Sequence, residues 1–193
     1  MVDTCTIYDF ETLSTNPSDG VVLSAAMLNY DEARFISKPY IYLELIDKCF
    51  YMKFDVADQV KSYNRKISKD TLEWWSKQNK EAQEALNPSK DDVSIADLYA
   101  WFVVNRPANL ERVYTRRNTF DPVFMSSVCK ATGNPDPYNW WDVRDTISFI
   151  EGLSYGSGLA NNFIPDGLAE HFVAHDPRHD IAIDVMRMQT VIQ

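Results

Sequence analysis

The segment "TCTIYDFET", residues 4–12, limits the fold more than any other stretch of the chain. Its first part alternates and is rich in β-formers, so it reads as a strand. It runs into two acids, Asp9 and Glu11, two residues apart. Side chains two apart on a strand point to the same face. Ile7 and Tyr8 precede them, which puts the carboxylate pair at or near an apolar core. Like charges there repel and are poorly solvated, so their pKa values rise. A bound divalent cation removes that cost. The alternative is a fraying strand end with both acids solvated.

The remaining pattern surrounds this strand with alternating elements. Further strands are expected at 21–30, 48–55 and 111–115. Helices are expected at 68–86, 92–105, 120–133 and 142–153, with a last one from Pro177 to the end. Strands come first and helices alternate later, so the class is α/β or α+β with a mixed sheet. A length of 193 residues suits a single domain over 1–193 with a proper core. The net charge of −9 argues against a broad basic face that coats nucleic acid. It is compatible with an enzyme that meets nucleic acid through bound metal ions, because hard cations want carboxylate oxygens. No apolar run reaches membrane-spanning length, so no membrane partner is expected. The N-terminus lacks a secretory pattern. Cys5, Cys49 and Cys129 form neither a metal-spaced cluster nor a disulfide framework, which points to a reducing, cytoplasmic setting.

Asp121 follows a short strand and precedes Pro122, which favours the first turn of a helix. Taken alone, Asp121 reads as an N-cap. A functional role requires it to reach Asp9 and Glu11. Arg116 and Arg117, just before it, either meet phosphate or are solvated.

"FVAHDPRHDIAIDVMRMQ", residues 172–189, holds two of the three histidines. Two His/Asp pairs share one spacing: His175 with Asp180, and His179 with Asp184. Pro177 suits the first helical position, so Asp176 caps the helix and His175 lies in the loop before it. A loop histidine beside a helical carboxylate is the better arrangement for a general base next to a metal ligand. That favours His175 with Asp180. A zinc site of the H-x-x-x-H kind is disfavoured, because Pro177 puts the helix start between the two histidines. An HD-type phosphohydrolase needs more histidines than the remaining His171.

Together these residues resemble the DEDDh 3′–5′ exonuclease family on the ribonuclease H-like fold. "DFET" matches its first motif, "FDPVFM" its second and "HDPRHD" its third. "LEWWSKQNKEAQEAL", "NPSKDDVS", "WWDVRDT" and "GLAEHFVAHDPRHD" look like the phage exonuclease A group and related bacterial exoribonucleases. The resemblance covers nearly the whole chain. Pro177 stands where the family often has Ala, which is compatible with a helix start. The chain ends at Gln193, so a function carried by a longer tail is expected to be absent.

The resemblance implies an α/β, ribonuclease H-like fold with a mixed central sheet flanked by helices. It implies two divalent cations, Mg²⁺ or Mn²⁺, held by Asp9, Glu11, Asp121 and Asp180. His175 would take a proton from the attacking water, and a nucleoside 5′-monophosphate would leave from the 3′ end of single-stranded DNA. Thr12 and Leu13 would contact the terminal nucleotide. The implied partner is a single-stranded nucleic acid 3′ end, the implied setting the cytoplasm (a host's, if phage-encoded), and a homodimer is conceivable. An exoribonuclease is the second reading, and a catalytically silent binding module the third. Trp74 and Trp75 point about 100° apart on a helix, so one is expected in the core and the other partly exposed. Core packing is the favoured role for both, an exposed Trp near the site could stack on a base, and Trp140 and Trp141 carry the same ambiguity. Arg144 and Asp145 are expected to support structure.

Overall fold

The computed structural model describes residues 2–193. Its sheet runs β3-β2-β1-β4-β5. The strands are β1 (Cys5–Thr12), β2 (Val22–Tyr30), β3 (Phe50–Lys53), β4 (Arg112–Thr115) and β5 (Val143–Asp145). β1 pairs antiparallel with β2 and parallel with β4, so the sheet is mixed. The helices are α1 (Arg34–Ser37), α2 (Tyr42–Asp47), α3 (Val56–Ser62), α4 (Lys69–Trp75), α5 (Lys80–Gln83), α6 (Leu98–Asn105), α7 (Asp121–Thr132), α8 (Thr146–Leu153) and α9 (Pro177–Ile192). Among the described residues no helix is long and apolar enough to cross a membrane.

The alternation of β1 divides the core. Cys5 and Ile7 pack with Ile181, Ala182, Val185 and Met188 of α9. Tyr8 and Phe10 pack on the other side with Leu98 and Phe102 of α6 and Phe124, Met125 and Val128 of α7. Asp9 and Glu11 extend the Cys5–Ile7 row and therefore face α9. A third apolar cluster joins Leu13, Val21, Leu23, Trp75 and Ala82. Each side chain fully buried in these layers contributes about 1.5–3 kcal/mol relative to exposure.

Several elements depart from the sequence expectation. The helix expected over 68–86 is broken into α4, α5 and a 3₁₀ turn at Glu84–Leu86. The cause is local: Asn79 accepts from the Ala82 amide and caps a new helix. The segment expected to be helical from 142 first forms β5, and Asp145 then caps α8 by accepting from the Ile147 amide. α1, α2 and α3 are too short to carry a helical period.

Candidate active site

The end of β1 is irregular. The register with β2 shifts between Glu11 and Thr12, a bulge of the kind that re-aims side chains beside functional sites. Glu11 is buried there and Asp9 is half-buried. Opposite them α9 begins. Asp176 accepts from the Arg178 amide and Pro177 takes the first helical position, as the sequence indicates. His175 precedes this cap with φ of 66°, a left-handed conformation that costs a non-glycine residue on the order of 1–3 kcal/mol. Its amide donates to Asp180 Oδ2 at 3.0 Å. Glu11, His175 and Asp180 each offer one ligand atom, and these atoms lie within 4.8 Å of one another.

Asp121 arrives from the other layer. The N-cap of α7 is Phe120, which makes no side-chain cap bond, and Asp121 is the first helical residue. The capping role expected from the sequence is therefore corrected. Asp121 Oδ1 instead accepts from the Phe10 amide at 3.2 Å. β4 pairs with β1 only as far as Ile7, which leaves the Phe10 amide beyond the end of β4. Asp121 satisfies that buried donor and lies beside the acids of β1.

Burial raises all four acids, and Asp121 and Asp180 further raise Asp9 and Glu11. Burial is the largest cause for Asp9, followed by Asp121, Glu11, Asp180 and Asp184; its pKa stands well above the usual range even though it keeps an exposed edge. Glu11 is raised likewise by burial, then by Asp180 and Asp121. Burial pushes Asp121 to about 8 against the opposing Phe10 amide. Burial pushes Asp180 to about 7, opposed by the His175 amide and helped by Asp184. Burial also lowers the His175 imidazole. Clustered and poorly solvated carboxylates favour a bound proton or a cation.

The second His/Asp pair serves the scaffold. His179 Nδ1 meets Tyr42 Oη at 2.8 Å. Asp184 is buried and accepts from Arg116 at 2.7 Å, Arg187 at 2.7 Å and Thr146 Oγ1 at 2.7 Å. Arg187 also donates to the Phe163 and Asn162 carbonyls, and Arg116 to Asn161, which ties the 154–173 loop to α9.

A cavity of about 360 Å³ opens beside Glu11, lined by Phe10, Thr12, Thr15, Trp74 and Phe120 among others. Thr12 lies on this cavity, next to Glu11. Leu13 does not: it is buried in the third cluster and lines a different cavity with Leu23 and Val56. Beyond the bulge its side chain turns into the core. Trp75 is buried and its indole N–H donates to the Thr12 carbonyl at 2.9 Å. Trp74 is 42% exposed, so the pair divides between core and surface as expected, and only the core packing favoured for both is corrected. Trp140 and Trp141 are exposed as well. Trp74 and Phe120 as cavity walls are legible in the sequence only as neighbours of motif residues. Arg116 is held by Asp184, while Arg117 is exposed with its amide on Asp145.

A mixed sheet with Asp9 and Glu11 on its central strand, Asp121 opening α7, and His175 and Asp180 at the start of α9 defines a DEDDh 3′–5′ exonuclease on the ribonuclease H-like fold. The chain belongs to the family described as the 3′-5′ exoribonuclease Rv2179c-like domain, whose model matches residues 5–184. It is 28% identical over 207 residues to the exodeoxyribonuclease of Enterobacteria phage T4, covering 97% of this chain and 88% of that one. The fold is that of exonuclease I, in a structure reported to suggest how processivity is achieved, with TM-score 0.65 and 14% identity. That likeness covers 99% of this chain and 41% of the other. E. coli exonuclease I in complex with a dT13 oligonucleotide matches with TM-score 0.64 and 14% identity over 96% of this chain. The chain spans 40% of that structure's length.

Proposed function

We propose that this 3′–5′ exonuclease, acting as a single catalytic domain over residues 1–193, hydrolyses single-stranded DNA with the help of divalent cations and releases nucleoside 5′-monophosphates. The observation that carries the reading is the convergence of Glu11, His175 and Asp180 within 4.8 Å. The donor set fits hard cations: carboxylates dominate it, and the repulsion that raises Asp9 and Glu11 beside Asp121 and Asp180 is relieved by positive charge. Asp9, Glu11, Asp121 and Asp180 would hold the ions, Mg²⁺ or Mn²⁺. Bound there, they would polarise the phosphodiester and lower the pKa of water.

The chain's own residues do the rest. His175 accepts the proton of the attacking water; burial keeps its imidazole neutral and so able to act. Trp74, Phe120 and Thr12 line the cavity beside Glu11, which suits a terminal nucleotide. Leu13 is not part of this reading. The setting is a cytoplasm, where the free thiols of Cys5, Cys49 and Cys129 persist.

DNA is supported by the name of the phage T4 relative and by the oligonucleotide complex of exonuclease I. RNA is the second reading, favoured by the description of the family. The cavity has polar groups able to meet a 2′-hydroxyl, among them Asp70 and Thr15. Two 5′-labelled single-stranded oligomers of one sequence, one DNA and one RNA, test this with Mg²⁺, Mn²⁺ or EDTA. A metal-dependent ladder shortening from the 3′ end of DNA supports the proposal. Faster loss of RNA transfers it to the second reading, and no cleavage of either sinks both.

A further inference from the structure

His175 is the base of the exonuclease reading. Among the described residues, no hydrogen bond reaches either ring nitrogen to orient the ring. Histidine bases are commonly oriented by a carboxylate or carbonyl on the second nitrogen. Here the backbone is fixed, since the His175 amide is on Asp180 and its φ is 66°. The side-chain torsions are left to packing. Two indoles supply it. Trp74 meets the imidazole edge-to-face at 4.7 Å between centroids with planes at 80°. Trp75 stands behind at 6.3 Å and 73°.

The two tryptophans are held differently. Trp75 is buried, anchored to Thr12, and meets Trp74 at 5.3 Å and 82°. Trp74 is 42% exposed, and it also forms a wall of the 360 Å³ cavity that adjoins Glu11. Whatever fills that cavity touches Trp74, and Trp74 touches the base.

We propose that Trp74 is a positioning residue for His175: its indole aims the imidazole at Glu11 and Asp180, and occupancy of the adjoining cavity by the substrate terminus holds that aim. The proposal rests on the exonuclease reading. It makes the catalytic geometry more secure with a filled cavity, because the empty one leaves the outer side of Trp74 without a packing partner. Discrimination between good and poor termini then falls in kcat as well as in KM.

A double-mutant cycle tests it, with kcat and KM measured on a labelled single-stranded oligomer in saturating Mg²⁺. Trp74→Leu should lower kcat about ten-fold or more, the scale of a misaimed catalytic group, beyond any rise in KM from the lost cavity wall. Trp74→Phe keeps a ring against the imidazole and should restore kcat to within about three-fold of the wild type. In a His175→Ala background, Trp74→Leu should cost nothing further. Equal loss in both backgrounds, or a change confined to KM, overturns the proposal and leaves Trp74 a binding wall. A wild type that cleaves nothing overturns the exonuclease reading and this one with it. A readout independent of activity is available in metal-free protein. Nuclear Overhauser contacts are expected between the His175 ring protons and the Trp74 indole. Their absence overturns the contact itself, even where Trp74→Leu does not fold.

Discussion

The Phe10 amide donates to Asp121 Oδ1 at 3.2 Å, joining residues 111 positions apart. This bond lets one carboxylate serve two purposes. It closes the open edge of β1 past the end of β4, and it carries a charge to the acids of that strand. Asp121→Asn keeps an acceptor for Phe10 and removes the charge. Thermal unfolding of metal-free protein should show it at least as stable as the wild type at about pH 8, while exonuclease activity falls about a hundred-fold or more. Asp121→Ala also strands a buried donor and should cost about 1–3 kcal/mol. A clear loss of stability in Asp121→Asn would contradict this division.

Stability should fall with pH in the metal-free protein. Asp180 stands at about 7 and Asp121 at about 8, both above the ordinary aspartate range and mainly through burial. Raised folded-state values mean that the fold keeps protons the unfolded chain has released. The stability they contribute is complete below about pH 4 and is lost as pH rises through about 7 to about 8. His175 and His179 are lowered by burial and act in the opposite sense, only below about pH 6.5. The melting temperature in EDTA should therefore drop between about pH 7 and about pH 8, and Asp121→Asn should flatten that slope. Mn²⁺ should stabilise more at the upper end. A melting temperature that rises across the window sinks the account.

The two histidines should separate by readout. His175→Ala should reduce kcat about 10²–10⁴-fold, the usual range for a positioned acid–base group. His179→Ala removes the bond to Tyr42 Oη and should cost about 1 kcal/mol of stability with much smaller loss of activity. Steady-state kinetics beside urea unfolding decides it; the reverse ranking would put the base in the other register.

Asp184 should behave as a structural acid. Its carboxylate takes Arg116, Arg187 and Thr146 in the interior. Asp184→Ala leaves two guanidinium groups without their partner and should destabilise by about 3–5 kcal/mol. Limited proteolysis should then cut within 154–173, the loop that Arg187 and Arg116 hold through Phe163, Asn162 and Asn161. An intact loop in the variant would show other contacts to be sufficient.

Much of this arrangement is legible in the sequence, for definite reasons. β1, β2 and α7 carry strong local signals: alternation, a continuous apolar run, and Pro122 with Gly133 as helix limits. The order Asp176–Pro177 fixes the start of α9 and so separates His175 from His179. What is hidden depends on tertiary context. Asp121 has the sequence of a cap, yet its partner is an amide on a strand it meets only in the fold. Trp74 and Trp75 are adjacent and differ only in which side of α4 finds the core. β5 is three residues long and passes directly into a helix, so no periodicity can reveal it. Leu13 follows the first motif without interruption, and only the register shift after Glu11 sends it inward.

The row Cys5, Ile7, Asp9, Glu11 has a consequence for how such a chain can change over generations. The face on which the acids emerge is a matter of counting: odd positions of β1 meet α9, even ones meet α7. Substitutions along the row alter its fit one side chain at a time. Deleting or inserting a single residue within it would swap the two sets, sending the carboxylates into the aromatic layer of Tyr8 and Phe10. Point changes in this strand are therefore open to gradual drift, whereas its length is closed to it.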